Sequence, residues 1–230
     1  MTGEFRLRVC YEKAGRLRWL SHLEVLRATE RMIRRSGLPV AVTQGFSPHM
    51  KIAFGPALPV GTAGQREYAD VWLTRYTKAE EALEMLRRSA AADLAPQEVL
   101  YVADRAPSLT AALTIGQYRI EIDGREIDST AVHAGLEKVL RRGQLEVVQK
   151  KGKTKVFDLA RSVPKDGRVE DRDGGAAIEL SIRMGPHGSL RPEALVRAAL
   201  AEEDLEASAV RTMRLDLFVE DDEGVWSRPV

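Results

Sequence analysis

Residues 5–39 read FRLRVCYEKAGRLRWLSHLEVLRATERMIRRSGLP, and two different periods follow one another within them. Phe5, Leu7 and Val9 alternate with Arg6, Arg8 and Cys10, the two-residue repeat of a half-buried strand. Ser21-His22-Leu23-Glu24 then has the form of a capping box, in which the serine oxygen meets the backbone N–H of Glu24 and the glutamate reaches back. Val25, Leu26, Thr29, Met32 and Ile33 recur at helical spacing, Gly37 offers a left-handed stop and Pro39 prevents continuation. This spacing predicts a helix over 22–36. Arg27, Arg31, Arg34 and Arg35 project outward from it.

Working outward, residues 51–54 and 68–73 read as strands, 78–89 as a helix and 97–102 as a strand, giving the order βαββαβ. Asp104-Arg105-Ala106-Pro107-Ser108 is polar and proline-containing, as a linker would be. The order then recurs: a strand at 113–122, a helix at 129–142, hairpin arms at 145–149 and 154–159, a strand at 177–183, a helix at 192–200 and a strand at 209–219. The expectation is an α+β protein of two tandem ferredoxin-like (βαββαβ) modules. Residues 1–104 would carry the site, and residues 110–230 a basic hairpin and an acidic tail. Alternation in 68–73 turns Ala69, Val71 and Leu73 toward the helices and leaves Tyr68, Asp70 and Trp72, with Arg6 and Arg8, on an open sheet face. Arg119, Glu121, Glu179, Arg183, Arg214 and Asp216 take the equivalent side of the second half.

Composition narrows the chemistry. The chain has 230 residues, 44% of them hydrophobic, and a formal net charge of +1. No apolar run reaches the roughly 20 residues a membrane helix needs, and Glu4, Arg6 and Arg8 stand where a secretory signal would be apolar. The expected location is the cytoplasm, with no membrane partner. Cys10 is the single cysteine, so neither an intrachain disulfide nor a multi-cysteine cluster can be built. His22, His49, His133 and His187 are scattered without metal-ligand spacing, and Walker A, GxGxxG and GxSxG motifs are missing. No metal and no cofactor are expected.

Charge is unevenly distributed. Basic residues far outnumber acidic ones from Arg6 to Lys51, and a second basic block holds Lys150, Lys151, Lys153 and Lys155, whereas residues 202–223 are dominated by carboxylates. Residues 44–61, QGFSPHMKIAFGPALPVG, combine recurrent glycine and proline with Gln44, His49 and Lys51, a composition that fits a site better than a connector. RNA or a ribonucleoprotein is the expected partner, met by Arg16, Arg18, Arg27, Arg31, Gln44, Phe46, His49, Lys51 and the hairpin lysines Lys150, Lys151, Lys153 and Lys155. The plainer reading makes the helix arginines a solvated face, with Glu24–Arg27 and Glu30–Arg34 pairs worth roughly 0.2–0.5 kcal/mol each. Tyr68 and Trp72 would stack bases on an open sheet or bury an interface. Tyr11, His22, His49 and Lys51 are the weak candidates for metal-independent ribonuclease chemistry, with histidine near its working pKa and lysine stabilising phosphate charge. His133 and His187 read as structural or solvent-exposed.

The run from Val9 to Glu24, followed by Gly37-Leu38-Pro39-Val40, Gln44-Gly45-Phe46-Ser47-Pro48-His49-Met50-Lys51 and Phe54-Gly55-Pro56-Ala57-Leu58-Pro59-Val60-Gly61, resembles the bacterial radical SAM-linked domain of unknown function. The match is specific over the first 75 residues and loose afterwards. Members of that family are fused behind a radical SAM enzyme or encoded beside one, often near a ribonuclease of the E/G class and ribosomal protein genes. The resemblance implies an accessory, adaptor role in RNA or translation-related chemistry, with a separate radical SAM enzyme as a partner. Cys10 alone cannot hold the three-cysteine cluster of such an enzyme, so radical chemistry would belong to the partner. A protein-only docking module, using the Tyr68–Trp72 face or the acidic C-terminal region, is one alternative. Another is a metal-independent endoribonuclease resembling the CRISPR repeat-processing enzymes, a likeness of expected fold only.

Overall fold

The structure is a computed structural model that describes residues 3–148, 152–165, 167–185 and 188–229. It is a mixed α+β fold whose chain divides into two compact units, Met1–Leu113 with Asp216–Val230, and Thr114–Leu215. Residues 216–230 thus cluster with the first unit although they follow the second in sequence. Among the described residues no helix is long and apolar enough to cross a membrane.

The first unit begins with β1 (Phe5–Lys13), a 3-10 turn at Gly15–Trp19 and α1 (His22–Ser36). The helix starts and stops where its local signals predict. The Ser21 N–H donates to the Glu24 carboxylate at 2.8 Å, and Gly37 ends the helix at φ 76°. Then follow β2 (Ile52–Phe54), β3 (Ala63–Leu73), α2 (Ala79–Ser89), β4 (Pro96–Val102) and the one-turn α3 (Leu109–Ala112). β1 pairs antiparallel with β3 on one side and β4 on the other, and β2 pairs with β3. Leu7, Val9, Val71 and Leu73 meet Met32, Ile33, Ala82 and Leu86 from the two helices in one apolar cluster.

The second unit holds β5 (Ile115–Asp123), α4 (Ser129–Arg141), β6 (Gln144–Val148), β7 (Thr154–Asp158), α5 (Leu159–Ser162), β8 (Arg168–Arg172), β9 (Gly175–Arg183), α6 (Pro192–Glu202) and the first part of β10 (Ala209–Glu220). Its strands run in the order β10-β5-β9-β8, while β6 and β7 pair only with each other among the described strands. Ile120, Ile122, Ile178 and Ile182 pack on Val132, Leu136, Leu195 and Val196 of α4 and α6. Strand β8 has no counterpart in the sequence expectation. Its run RVEDR offers one apolar residue among charges, the composition that keeps an edge strand from recruiting another chain. After β10 the chain turns at Gly224 and closes the first unit with β11 (Trp226–Ser227) against β10.

The expected open sheet face of the first unit is not open. Arg6, Arg8, Tyr68 and Asp70 are all buried. Arg8 and Asp70 are cross-strand partners, and the Asp70 carboxylate accepts from Arg6 Nη2 at 2.7 Å and Arg8 Nε at 2.8 Å. Arg6 also donates to the carbonyls of Ala106 and Pro107 and lies 5.1 Å from the centre of the Trp72 ring. The segment expected to be a linker is therefore fastened to β1 by a guanidinium. Tyr68 donates to Asp216 rather than facing solvent. On the expected mixed-charge side of the second unit, Arg119 reaches Glu170 at 2.8 Å and Glu179 at 2.9 Å while these side chains remain partly exposed, and Arg214 is fully buried.

Removing one partner of a buried ion pair strands the other charge, at a cost of about 3–5 kcal/mol. Asp70→Ala leaves two buried guanidiniums without their carboxylate, so it is expected to lower the urea midpoint by that equivalent, whereas Glu84→Ala, which breaks an exposed pair on α2, changes it by less than about 1 kcal/mol. Equal midpoints for the two variants would remove Asp70 from this role.

Candidate functional site

Two features of the first unit gather the residues that sequence reading singled out. One is a small cleft at the start of α1, lined by Tyr11, Lys13, His22, Glu67 and residues 54–58. The His22 and Phe54 rings meet edge to face at 5.5 Å, and Tyr11 packs against Phe54 at 6.4 Å. Lys13 is buried and donates from Nζ to the Leu20 carbonyl at 3.0 Å. The 3-10 turn beside it is pinned from both sides. Asp93 accepts from the Arg16 N–H at 3.1 Å, and Gly61 donates to the Arg18 carbonyl at 2.9 Å. Gly61 has φ 89°, and a Cβ there would come within 3.0 Å of the Trp19 ring, so this position takes glycine on two counts.

Of the four catalytic candidates, the structure brings Tyr11 and His22 together and leaves His49 and Lys51 outside the cleft lining. Lys51 instead pairs with Glu4 and lies 5.2 Å from the centre of the Trp72 ring. Lys13 and Glu67 were missed, yet the signal was present. In β3 the residues Glu67, Ala69, Val71 and Leu73 share the helix-facing side, and in β1 Leu7, Val9, Tyr11 and Lys13 follow the same alternation. A charged residue at the end of a buried stripe is the informative exception.

The second feature is the turn formed by residues 41–51. Ala41 donates to the Trp72 carbonyl at 2.7 Å, Lys51 to Ala41 at 2.8 Å, and Thr43 to His49 at 2.8 Å, while the Thr43 hydroxyl accepts from the His49 N–H. These bonds make a stalk on the edge of β3. Residues 42–49 are exposed at its end, Gln44 and His49 among them, and the Phe46 side chain is wholly exposed.

The arginines of this unit fall into two groups. Arg6 and Arg8 are buried with Asp70, and Arg66 pairs with Glu98 at 2.7 Å. Arg16, Arg27, Arg31 and Arg34 are exposed. The pairs Glu24–Arg27 and Glu30–Arg34 allowed by spacing are not among the described ion pairs, although Glu24 feels the Arg27 charge. Helices elsewhere use that spacing, as in Arg88–Glu84, Arg141–Glu137 and Arg197–Glu193. Arg18 lies 5.2 Å from the centre of the Trp19 ring, its Nε buried without a hydrogen-bond partner.

In the second unit Lys153 is exposed, whereas Lys155 rests on the Phe157 ring at 4.6 Å and donates to the Gly188 carbonyl. Lys150, Lys151 and His187 lie outside the described residues. His133 is exposed on α4 beside Glu137. The acidic stretch is less free than a tail: Glu202 pairs with Arg142, Glu203 with Lys138, and Asp221 caps the turn by accepting from Glu223 and Val225.

A family model described as "Uncharacterized protein conserved in bacteria (DUF2344)" matches residues 6–192, which include the cleft, the stalked turn and the arginine face. No curated protein matches. Among solved structures the chain is similar to one titled "Crystal Structure of a Cbf5-Nop10-Gar1 Complex", with 11% identity and a TM-score of 0.49, over 94% of this chain and 50% of that chain. The chain thus spans about half the length of that structure, and a likeness at this score bears on neither fold nor function.

Cys10 shares a second depression with Arg8, Arg66, Tyr68, Glu98 and Arg228. Burial pushes its thiol up to about 11, against the lowering pull of Arg66. At pH 8 only roughly a thousandth of it is thiolate. A disulfide reagent at that pH is expected to leave Cys10 unmodified in the native protein and to titrate one thiol after denaturation. Rapid native labelling would contradict the burial described.

Proposed function

We propose that this chain, which belongs to the bacterial DUF2344 family of uncharacterized conserved proteins, is an RNA- or ribonucleoprotein-binding adaptor. One observation carries the reading: Arg16, Arg31 and Arg34 stand exposed at and before α1 with no ion pair among the described residues. An exposed cation without a carboxylate is free to exchange its counterion for a phosphate, which is the main source of salt-dependent affinity for nucleic acid. Arg27, on the same helix face, makes no ion pair among the described residues, with Glu24 near enough to feel its charge. Arg18, Gln44, Phe46, His49 and Lys51 extend the proposed surface within the first unit. Lys153 supports a contribution from the basic hairpin.

The pairing orders β4-β1-β3-β2 and β10-β5-β9-β8, with two long helices in each unit beside a one-turn one, support reading each unit as a ferredoxin-like module. The β6–β7 hairpin would then be an insertion in the second. The resemblance to radical SAM-linked domains supports a cytoplasmic protein that works with a separate radical SAM enzyme, presenting RNA to it rather than performing the chemistry.

A second reading, metal-independent RNA cleavage, is favoured by the meeting of Tyr11 and His22 in one cleft with Lys13 and Glu67. His22 would act as the general base or acid there, and Lys13 would offset charge on the phosphate.

Titrating salt against binding of labelled transfer RNA and ribosomal RNA fragments, in chelator, tests both readings. The adaptor reading expects tight binding, with the log–log slope falling by roughly 1.5 in Arg27→Ala/Arg31→Ala and the melting temperature unchanged. Unaltered slope and affinity in that variant would take these arginines out of the surface. The same samples on a denaturing gel are expected to stay intact. Cleavage that His22→Ala abolishes, with affinity retained, would establish the nuclease instead.

A further inference from the structure

Phe46 is a large apolar side chain displayed where folding gives it nothing to touch. Its ring is wholly exposed, and a Cβ placed on the preceding Gly45 would meet nothing within 4 Å. Water is a poor environment for such a ring, which is stabilised where its face is covered. The stalk beneath it is nonetheless built with care. Three backbone bonds tie Ala41, Lys51 and Trp72 together, one backbone and one side-chain bond join Thr43 and His49, and Pro48 restricts the path between. The ring is therefore carried three residues beyond the Thr43–His49 bonds that close the stalk.

Size and surroundings identify what the ring is fitted to meet. A stable protein interface takes about 800 Å² from each partner and centres on an apolar cluster. Gln44, Ser47 and His49 at this tip are exposed and polar, with Pro48 between the last two, while exposed Val42 lies lower on the stalk, where it bridges to Met50. A single ring bordered by hydrogen-bonding groups matches one nucleobase, whose face stacks on it while the polar neighbours reach its edge or its phosphate. Bases inside a duplex have no free face.

Resting on the RNA-binding reading above, we infer that the ligand class is unpaired RNA, a single strand or loop, and that Phe46 is the stacking platform for one of its bases. The exposed arginines supply the sequence-independent attraction. The ring supplies the preference for single over double strands.

Fluorescence anisotropy with a labelled 12-nucleotide RNA, alone and annealed to its complement, tests this at fixed salt in chelator. Wild type is expected to prefer the single strand. Phe46→Ala is expected to weaken single-strand binding about tenfold, with duplex binding unchanged, and Phe46→Trp to restore it. Because the side chain touches nothing, the variants fold as wild type does, which circular dichroism verifies. Equal binding of both RNA forms, with Phe46→Ala matching wild type, would overturn the stacking role and leave the adaptor reading standing. Failure of wild type to bind either form even at low salt would overturn both.

Discussion

Asp70 is one carboxylate buried between two guanidiniums, and the first unit is arranged around that imbalance. Arg6 and Arg8 bring two positive charges to the face of β1, and Asp70 answers with one negative charge on the facing strand. The remaining donors of Arg6 must find acceptors, since an unsatisfied buried charge costs more than the fold can spare. They find the carbonyls of Asp104, Ala106 and Pro107 and the face of Trp72. The path of the chain after β4 is thus dictated by hydrogen-bond demand from β1, some hundred residues earlier.

Legibility in the sequence followed how local each cause was. The start, stop and buried face of α1 depend on Ser21, Glu24, Gly37 and a stripe of five side chains, all within seventeen residues, and they were readable. The fate of the opposite sheet face was not, because alternation shows that Arg6, Arg8, Tyr68 and Asp70 share a side but not whether anything covers it. Strand β8 escaped notice because an edge strand need bury little. Glu67 and Lys13 were legible in principle. They sit in phase with buried residues, and a charge in that phase is a stronger signal of a built environment than a histidine in a loop.

The segment 44–61 reads as one motif but divides in two. Its second half, from Phe54 onward, forms the wall of the cleft and packs Gly61 under Trp19. Its first half is a stalk that bonds to β3 and holds its tip in solvent. The division explains why Tyr11 and His22 meet while His49 and Lys51 have other neighbours. It also separates the cleft lined by Tyr11 and His22 from the exposed tip at 42–49.

The return of the chain to its first unit at Asp216 imposes an order in time. Tyr68, Arg66 and Arg228 converge on the Asp216 carboxylate, so the first unit emerges from the ribosome without one of its own parts. The whole of the second unit must be synthesised before that carboxylate arrives, on the order of ten seconds of elongation. Until then Tyr68 and Arg66 wait without it. Vectorial synthesis therefore delivers the last part of the first unit only after the whole second unit, and a gene cut after Leu113 would deliver a first unit that lacks residues 216–230 and the β11 strand.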